Sequence, residues 1–138
     1  MQIQTAIATS DRDRAYLETR YRHIDAATFT RKFAAGEYMV IRHSDAPFGW
    51  LRWGYFWDSL PFMNLLYIEE NQRGQGHGRQ LVLAWEEAMH TAAHTQVMTS
   101  TLSDEAAQHF YRKLGYRDCG ALLLPGEALE IIFIKQLA

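Results

Sequence analysis

The sequence predicts a mixed α/β domain, because two kinds of apolar pattern follow one another irregularly along the chain. Residues 48–57 alternate with period two, as strands do, whereas residues 76–93 carry apolar side chains at helical spacing. The predicted order is a strand, two helices, three strands, and then a helix, a strand, a helix and two strands. We therefore expect a mostly antiparallel sheet of roughly six to seven strands. A chain of 138 residues is long enough for one core, so a single domain, 1–138, is expected.

The first half of the chain contains two predicted helices with capping residues. The cluster Thr9-Ser10-Asp11 precedes the first helix, and Asp25 caps the second, which ends at Gly36. In order, the predicted elements are a strand at 2–8, a helix at 13–23, a helix through Phe29 and Phe33, and strands at 37–42, 48–57 and 62–69.

The alternation in residues 48–57 divides the side chains of that strand between two faces. Leu51, Trp53, Tyr55 and Trp57 share one face, which is more uniformly apolar than the other. We expect this face to cover a core or to line a pocket. The next strand, 62–69, is rich in apolar residues, which is typical of a central strand covered on both faces.

The second half of the chain predicts two helices and three strands. The elements are a helix at 76–93, a strand at 96–101, a helix at 104–114, and strands at 116–124 and 129–136. Ser103 is expected to cap the helix at 104–114, and Gly115 is expected to end it.

Composition argues against several classes of partner. The formal net charge of −2 provides no global positive field, so we expect neither a nucleic-acid partner nor a membrane partner. Cys119 is the only cysteine, which excludes an internal disulfide and suits a reducing compartment. No signal peptide or long apolar run is evident, and a cytoplasmic location is therefore expected.

A glycine-rich turn joins the predicted strand at 62–69 to the helix at 76–93. Gly74, Gly76 and Gly78 lie where the helix begins, and there unpaired N–H groups and the helix dipole favour an anion. The turn lacks the Lys-Ser or Lys-Thr of a P-loop, because Arg79 follows Gly78. The dinucleotide-binding fingerprint would require a glycine at position 79. A phosphorylated ligand of another class is therefore predicted.

The motif Arg73-Gly74-Gln75-Gly76-His77-Gly78 resembles the acetyl-CoA pyrophosphate loop of the GNAT superfamily of N-acetyltransferases. A second stretch, Asp104 to Tyr116, resembles the family's N-x-x-A-x-x-F-Y-x-K-x-G-F helix. The two motifs occur in the family's order, and the predicted elements follow its topology over nearly the whole chain. The resemblance implies a GNAT-like fold with helices on both faces of the sheet and a splayed central pair of strands.

The resemblance also implies which residues hold acetyl-CoA. Backbone groups of Leu66, Tyr67 and Ile68 would pair with the pantetheine arm. The N–H groups of the loop would hold the pyrophosphate, with no metal ion required. These loop residues are Arg73, Gly74, Gln75, Gly76, His77, Gly78 and Arg79. Phe110 belongs to the second motif, and Asp104 stands where the family usually has an asparagine that contacts the cofactor.

Acetyl transfer to an amine needs a stabilised oxyanion, a proton for the departing thiolate and a neutral nucleophile. The N–H of Ile68 is a candidate for the oxyanion. Tyr111 matches the family's general acid, although its position on an apolar helix face also suits a core tyrosine. The carboxylate that family members place near positions 62 or 99 is missing, because these are Phe62 and Thr99.

Other catalytic and binding groups are less well defined by the sequence. Glu69 and Glu70 are the nearest carboxylates and are the candidate bases, with solvated loop residues as the alternative. His90 and His94 lie four residues apart but lack the glutamate of a metal motif. Cys119 has no base partner nearby and is expected to be structural.

The acceptor is expected to be a primary amine of a small molecule or a peptide. In the family it enters near the hairpin of the third and fourth strands and the first two helices. Phe29, Phe33, Trp57 and Asp58 are therefore candidate lining residues, suited to a cationic or aromatic amine. The alternative function is a non-catalytic module that binds or senses acyl-CoA. Both a monomer and a homodimer are compatible with the sequence.

Overall fold

The computed structural model describes residues 2–138, which form seven strands, four α-helices and one 3-10 turn. The strands are β1 Ile3–Ile7, β2 Tyr38–His43, β3 Ala46–Phe56, β4 Leu60–Ile68, β5 Gln96–Leu102, β6 Arg117–Leu122 and β7 Glu130–Gln136. The helices are α1 Asp11–Leu17, α2 Ala26–Ala34, α3 His77–Thr91 and α4 Ala107–Lys113, and the 3-10 turn is Glu70–Gln72. The predicted order of elements and the predicted fold class are confirmed.

The strands form one sheet in the order β1-β2-β3-β4-β5-β7-β6. The ladders of β1 with β2, β2 with β3, β5 with β7, and β6 with β7 are antiparallel, whereas β4 and β5 are parallel. The β4–β5 ladder contains two pairs, Phe62 with Met98 and Met63 with Thr99. From Asn64 onward β4 continues beyond this pairing, which is the splay that the family resemblance implies.

The chain divides into two compact units. Unit 1 contains the residues up to Trp53 together with 65–85, and its buried cluster includes Leu17 of α1, Phe29 of α2, and Tyr38 and Trp50 of the sheet. Unit 2 contains residues 54–64 and 86–138. Its buried side chains include Met63, Val97, Tyr111, Tyr116 and Phe133.

Helix α1 is shorter than predicted. It ends at Leu17 and not at residue 23. Its start is fixed by a capping box in which the Ser10 hydroxyl accepts from the Asp13 N–H and the Asp13 carboxylate accepts from the Ser10 N–H. Arg22 and His23 adopt positive φ angles of 46° and 68°, which no helix accommodates. The residues from 18 to 23 that were expected to complete the helix therefore form an irregular connection.

Helix α4 begins later than predicted, at Ala107, and Ser103 does not cap it. The Ser103 N–H donates to the Leu129 carbonyl at 2.7 Å, and the Glu105 carboxylate folds back to accept from the Leu102 N–H at 3.3 Å. These contacts hold the chain in a turn ahead of the helix. Gly115, with φ of 97°, follows the end of α4 as predicted.

The apolar face predicted for residues 48–57 covers a core over part of its length. Leu51 and Trp53 are buried as expected, and Trp50 and Arg52 on the other face are buried as well. Trp57 does not belong to this face, because it lies beyond the strand in a turn with φ of 55° and is 78% exposed. Interior strands bury both faces, so burial along β3 loses its period of two.

Candidate functional site

The glycine-rich turn has the geometry that an anion-binding loop requires. After β4 and the 3-10 turn, Gly74 and Gly76 adopt φ angles of 74° and 84°, a region that favours glycine. A Cβ atom added at either glycine would meet no heavy atom within 4 Å, so the space beside the backbone is open. The 15-residue helix α3 then begins at His77.

The free donors of this turn lie at the start of α3. The Gln80 N–H already donates to the Gly76 carbonyl at 3.0 Å, as the helix requires. The N–H groups of His77, Gly78 and Arg79 precede it in the first turn, where a helix has no acceptor of its own for them. They lie at the positive end of the helix dipole. Both the unpaired donors and the dipole favour a phosphate group.

Arg73 is used differently from the other loop residues. Its N–H donates to the Glu70 carbonyl at 3.3 Å, and its Nε donates to the Ile68 carbonyl at 2.7 Å. Both contacts tie the loop to the end of β4. The Arg73 N–H is therefore already occupied, and the candidate donor set for an anion starts after it.

Strand β4 carries an aromatic ring that two cations approach. The guanidinium carbons of Arg22 and Arg73 lie 4.4 Å and 5.2 Å from the centroid of the Tyr67 ring. Leu66 is half-buried and Ile68 is buried beside Tyr67. No sequence motif points to Arg22, because it reaches Tyr67 from the connection between α1 and α2.

The His77 ring packs inward under the loop. Its centroid lies 4.9 Å from that of Phe48 in a T-shaped arrangement, and the ring is buried. Phe48 also stacks on His43 at 4.4 Å, and His43 Nε2 lies 3.2 Å from Gln72 Oε1. These three rings support the loop from below, so His77 offers its N–H and not its ring to a ligand in the loop.

Of the two candidate bases, Glu69 is held in place and Glu70 is not. The Glu69 carboxylate accepts from the Tyr16 hydroxyl at 2.5 Å and from Arg20 Nε at 3.0 Å. Burial, with the Glu69 contact added, raises the pKa of Tyr16 far above its usual range. Glu70 is exposed at the start of the 3-10 turn.

Tyr111 lies in α4 of unit 2 and is 6% exposed. Its ring packs against Phe110, Tyr116 and Phe133, with centroid distances of 5.2 Å, 5.6 Å and 6.2 Å. Burial raises the pKa of Tyr111 to about 12, although a hydrogen bond with the Thr99 side chain works in the opposite direction. The phenol therefore keeps its proton at neutral pH and is chemically a donor.

A buried polar cluster supports this aromatic group, and the sequence analysis missed it. The Tyr116 hydroxyl donates to the Glu86 carboxylate at 2.8 Å, and Lys135 Nζ donates to the same carboxylate at 2.8 Å. Burial, followed by the Glu86 charge, raises the pKa of Tyr116 far above its usual range. These residues are 19 to 49 positions apart in sequence, and no local pattern connects them.

The remaining predicted cofactor residues flank Tyr111. Phe110 is half-buried next to it in α4, whereas Asp104 is exposed in the turn that precedes the helix. Both lie in unit 2 with Tyr111. Cys119, which was expected to be structural, is exposed in β6.

The predicted acceptor residues belong to different units, with Phe29 and Phe33 in unit 1 and Trp57 and Asp58 in unit 2. Phe29 is 1% exposed and packs against Tyr21, Phe33 and Tyr38 in the core of unit 1, so its assignment to a pocket lining is wrong. It was misassigned because an aromatic residue on a helix looks the same in sequence whether it lines a core or a cleft. Trp57 and Asp58 are exposed in the turn between β3 and β4.

Unit 2 contains a cavity of about 340 Å³ that the sequence did not reveal. Its lining residues are Tyr55, Phe56, Phe62, Asn64, Ser100, Leu122 and Ile132. They come from five different strands of the sheet. Only the pairing of these strands brings them together, which explains why they share no motif.

Two further searches of residues 2–138 gave negative results. No cluster of three or more His, Cys, Asp or Glu side chains has the arrangement of a metal site in this part of the chain. Within the same residues, no helix combines the length and the apolar character needed to span a membrane.

Comparison with known proteins agrees with this geometry. Residues 34–118 match the family described as "Acetyltransferase (GNAT) domain". This segment includes β2 to β5, the glycine-rich turn, α3 and α4. No curated protein sequence is significantly similar to the chain.

Solved structures share the fold over essentially the whole chain. A protein from Lactobacillus plantarum assigned as an N-acetyltransferase is 26% identical, with a TM-score of 0.73 and coverage of 99% of this chain and 98% of that one. A GNAT family acetyltransferase from Elizabethkingia anophelis with acetyl-CoA bound is 16% identical, with a TM-score of 0.76 and 98% coverage of each chain. A chain of the NatC complex bound to Gag peptide and CoA is 14% identical, with a TM-score of 0.82 and 100% coverage of each chain.

Proposed function

The chain belongs to the GNAT acetyltransferase family, and we propose that it transfers the acetyl group of acetyl-CoA directly to the primary amine of a small molecule or peptide. The observation that carries this proposal is the turn between β4 and α3. It has open space beside two glycines with positive φ and leads into the free N–H groups at the start of a long helix.

The cofactor strand supports the same assignment. The β4–β5 ladder stops at Met63 and Thr99, so backbone groups of Leu66, Tyr67 and Ile68 lie beyond that pairing. We expect the pantetheine arm to hydrogen-bond along this stretch and the pyrophosphate to bind at the N–H groups from Gly74 to Arg79. Arg73 fixes the relation between strand and loop through its bond to the Ile68 carbonyl.

The reaction follows from the groups present. The amine lone pair attacks the thioester carbonyl carbon, a C–N bond forms, and the carbonyl oxygen becomes an oxyanion that a backbone N–H, that of Ile68, stabilises. Collapse of this intermediate breaks the C–S bond and releases the thiolate of CoA. Tyr111 donates its phenolic proton to the thiolate, and the amine gives up a proton through Glu69 or Glu70.

The loop can be tested with a matched pair of glycine variants. Gly76 and Gly126 have φ angles of 84° and 77° and open space around them, but Gly126 lies between β6 and β7. Gly76→Ala and Gly126→Ala should each lose about 1 kcal/mol of stability from backbone strain. Only Gly76→Ala should raise the Kd for acetyl-CoA, by about tenfold or more, as measured by calorimetry. Equal Kd values for the two variants would contradict the assignment.

A non-catalytic acyl-CoA binding module is the second candidate, and one observation favours it. Phe62 and Thr99 stand where family members often place a carboxylate, and the buried Thr99 hydroxyl donates to the Met63 carbonyl at 3.0 Å. Saturable binding of acetyl-CoA without release of CoA across a broad amine panel would favour this alternative. Amine-dependent release of CoA would exclude it.

A further inference from the structure

The cavity of unit 2 lies where β4 and β5 part. The last residues of their ladder are Met63 and Thr99, and the next residue of each strand, Asn64 and Ser100, lines the cavity. Thr99 interacts with Tyr111. Because consecutive strand residues face opposite sides of a sheet, Ser100 and the Tyr111 contact lie on opposite faces of β5. The cavity therefore opens on the face of β5 opposite to the Tyr111 contact, at the point where the two strands part.

The lining of the cavity carries no charge. Phe56, Phe62, Leu122 and Ile132 present apolar surface, and Tyr55, Asn64 and Ser100 each bring a neutral polar group. The amide oxygen of Asn64 and the hydroxyl of Ser100 can accept hydrogen bonds from an amine. A carboxylate would hold an ammonium ion in its charged form, whereas neutral acceptors in an apolar cavity favour the uncharged, nucleophilic amine.

Resting on the proposed function, we infer that this cavity binds the acceptor, and that the acceptor is a small primary amine carrying one apolar or aromatic group. The volume of about 340 Å³ is near the lower end for ligand pockets and suits a compact molecule. The lining contains no carboxylate that could pair with a second positive charge on the acceptor, so diamines are disfavoured.

A peptide acceptor fits the lining less well. Each peptide unit brings an N–H and a C=O group that must be hydrogen-bonded when buried. The cavity offers three polar side chains, those of Tyr55, Asn64 and Ser100, and the amine takes up part of this set. A molecule with an apolar body and a single amine leaves no such group unpaired.

The experiment compares three acceptors on the full chain with acetyl-CoA present: 2-phenylethylamine, 1,4-diaminobutane and a tripeptide with phenylalanine at its N-terminus. Binding is followed by calorimetry with a non-reactive CoA analogue, and turnover is followed by release of CoA. We expect 2-phenylethylamine to bind and to be acetylated with kcat/KM about 30-fold above that of the other two.

Three variants test whether the amine binds in the cavity. Ser100→Leu fills the cavity and should lower the affinity for 2-phenylethylamine about tenfold or more without changing the Kd for acetyl-CoA. Asn64→Asp places a carboxylate in the lining and should shift the preference toward 1,4-diaminobutane. Leu123→Ala is the control, because Leu123 is 87% exposed and does not line the cavity. It should leave all values unchanged.

The outcomes separate this inference from the proposed function. If acetyl-CoA does not bind, the proposed function fails and the inference fails with it. If acetyl-CoA binds and 2-phenylethylamine does not, or if the diamine or the tripeptide is preferred, the inference alone is overturned. An unchanged affinity for 2-phenylethylamine in Ser100→Leu would also overturn it.

Discussion

Arg73 Nε donates to the carbonyl oxygen of Ile68 across 2.7 Å, and this bond joins the glycine-rich turn to the last residue of the cofactor strand. The same guanidinium lies over the Tyr67 ring. This side chain therefore helps to fix the position of the turn, whose N–H groups we propose to bind phosphate, relative to β4. This relationship gives the first prediction.

Arg73→Ala should weaken acetyl-CoA binding about tenfold, because it removes both the charge and the bond that fixes the loop. Arg73→Lys keeps the charge but cannot reproduce the Nε contact, so it should recover only part of the affinity. Calorimetric Kd values for the two variants test this. Wild-type affinity in Arg73→Ala would show that the loop keeps its position without the bond.

Tyr111→Phe should lower kcat by about 10² or more, because the departing thiolate loses its proton donor. The Kd for acetyl-CoA should change little. Tyr116→Phe is a matched control, since it removes a hydroxyl from the adjacent ring of the same cluster and breaks the bond to Glu86. The control should lose stability and keep most of its kcat. A similar kcat for both variants would argue that Tyr111 is only a core residue.

Glu69→Gln and Glu70→Gln distinguish the two candidate bases. Glu69 is held by Tyr16 and Arg20, so its loss should also loosen those contacts and lower the melting temperature. Glu70 is exposed, and its loss should leave stability unchanged. We expect kcat to fall about tenfold or more in at least one variant. Full activity in both would indicate that the amine proton leaves through solvent.

Asp13→Asn should destabilise the fold by about 3 kcal/mol, because it leaves the guanidinium of Arg42 without its buried partner. Asp45→Asn is the control. Its ion pair with Arg12 is exposed, so it should cost less than about 1 kcal/mol. Urea unfolding at neutral pH measures both values.

The pKa of Asp13 also predicts how the stability of the fold depends on pH. Burial acts to raise the pKa of Asp13, but Arg42 and the N–H groups of Thr9 and Ser10 together hold it below its usual value. A carboxyl with a lowered folded pKa contributes stability above its unfolded pKa and loses it as pH falls through the folded value. Unfolding free energy should therefore fall below about pH 4, and less steeply in Asp13→Asn.

Gly49→Ala should destabilise unit 1 by about 1 to 3 kcal/mol through overpacking. A Cβ atom there would lie 2.6 Å from Ile68 Cδ1, 2.9 Å from Ile41 Cγ2 and 3.0 Å from the Tyr67 carbonyl oxygen. Gly120→Ala is the control, because no heavy atom lies within 4 Å of its added Cβ. Thermal unfolding compares the two. Equal melting temperatures would mean that β3 and β4 separate at little cost.

The features that the sequence predicted correctly depend on neighbours within a few residues. The capping of α2 by Asp25, the end of α4 near Gly115 and the glycine-rich turn before α3 are of this kind. Each is determined by the backbone freedom or the hydrogen-bonding groups of the residue itself. The order of elements was predicted correctly for the same reason.

The errors arose where distant residues decide the outcome. Helix α1 ends at Leu17, and the segment that was expected to continue it is held in another conformation, because the carbonyl groups of Tyr21 and Arg22 accept from the buried guanidinium of Arg52 at 2.7 Å and 2.8 Å. Phe29 joins the core because β2 places Tyr38 against it. No periodicity within a helix contains information about the strand that will cover it.

The sequence by itself determined the donor, since the loop that binds a pyrophosphate is a local motif of glycines before a helix. The tertiary structure decided two other features: the partners of Glu69 in unit 1, which are 49 and 53 residues away, and the uncharged cavity that five strands form in unit 2. The physical reason is that backbone conformation is encoded locally, whereas side-chain partners and cavities depend on how the strands pair.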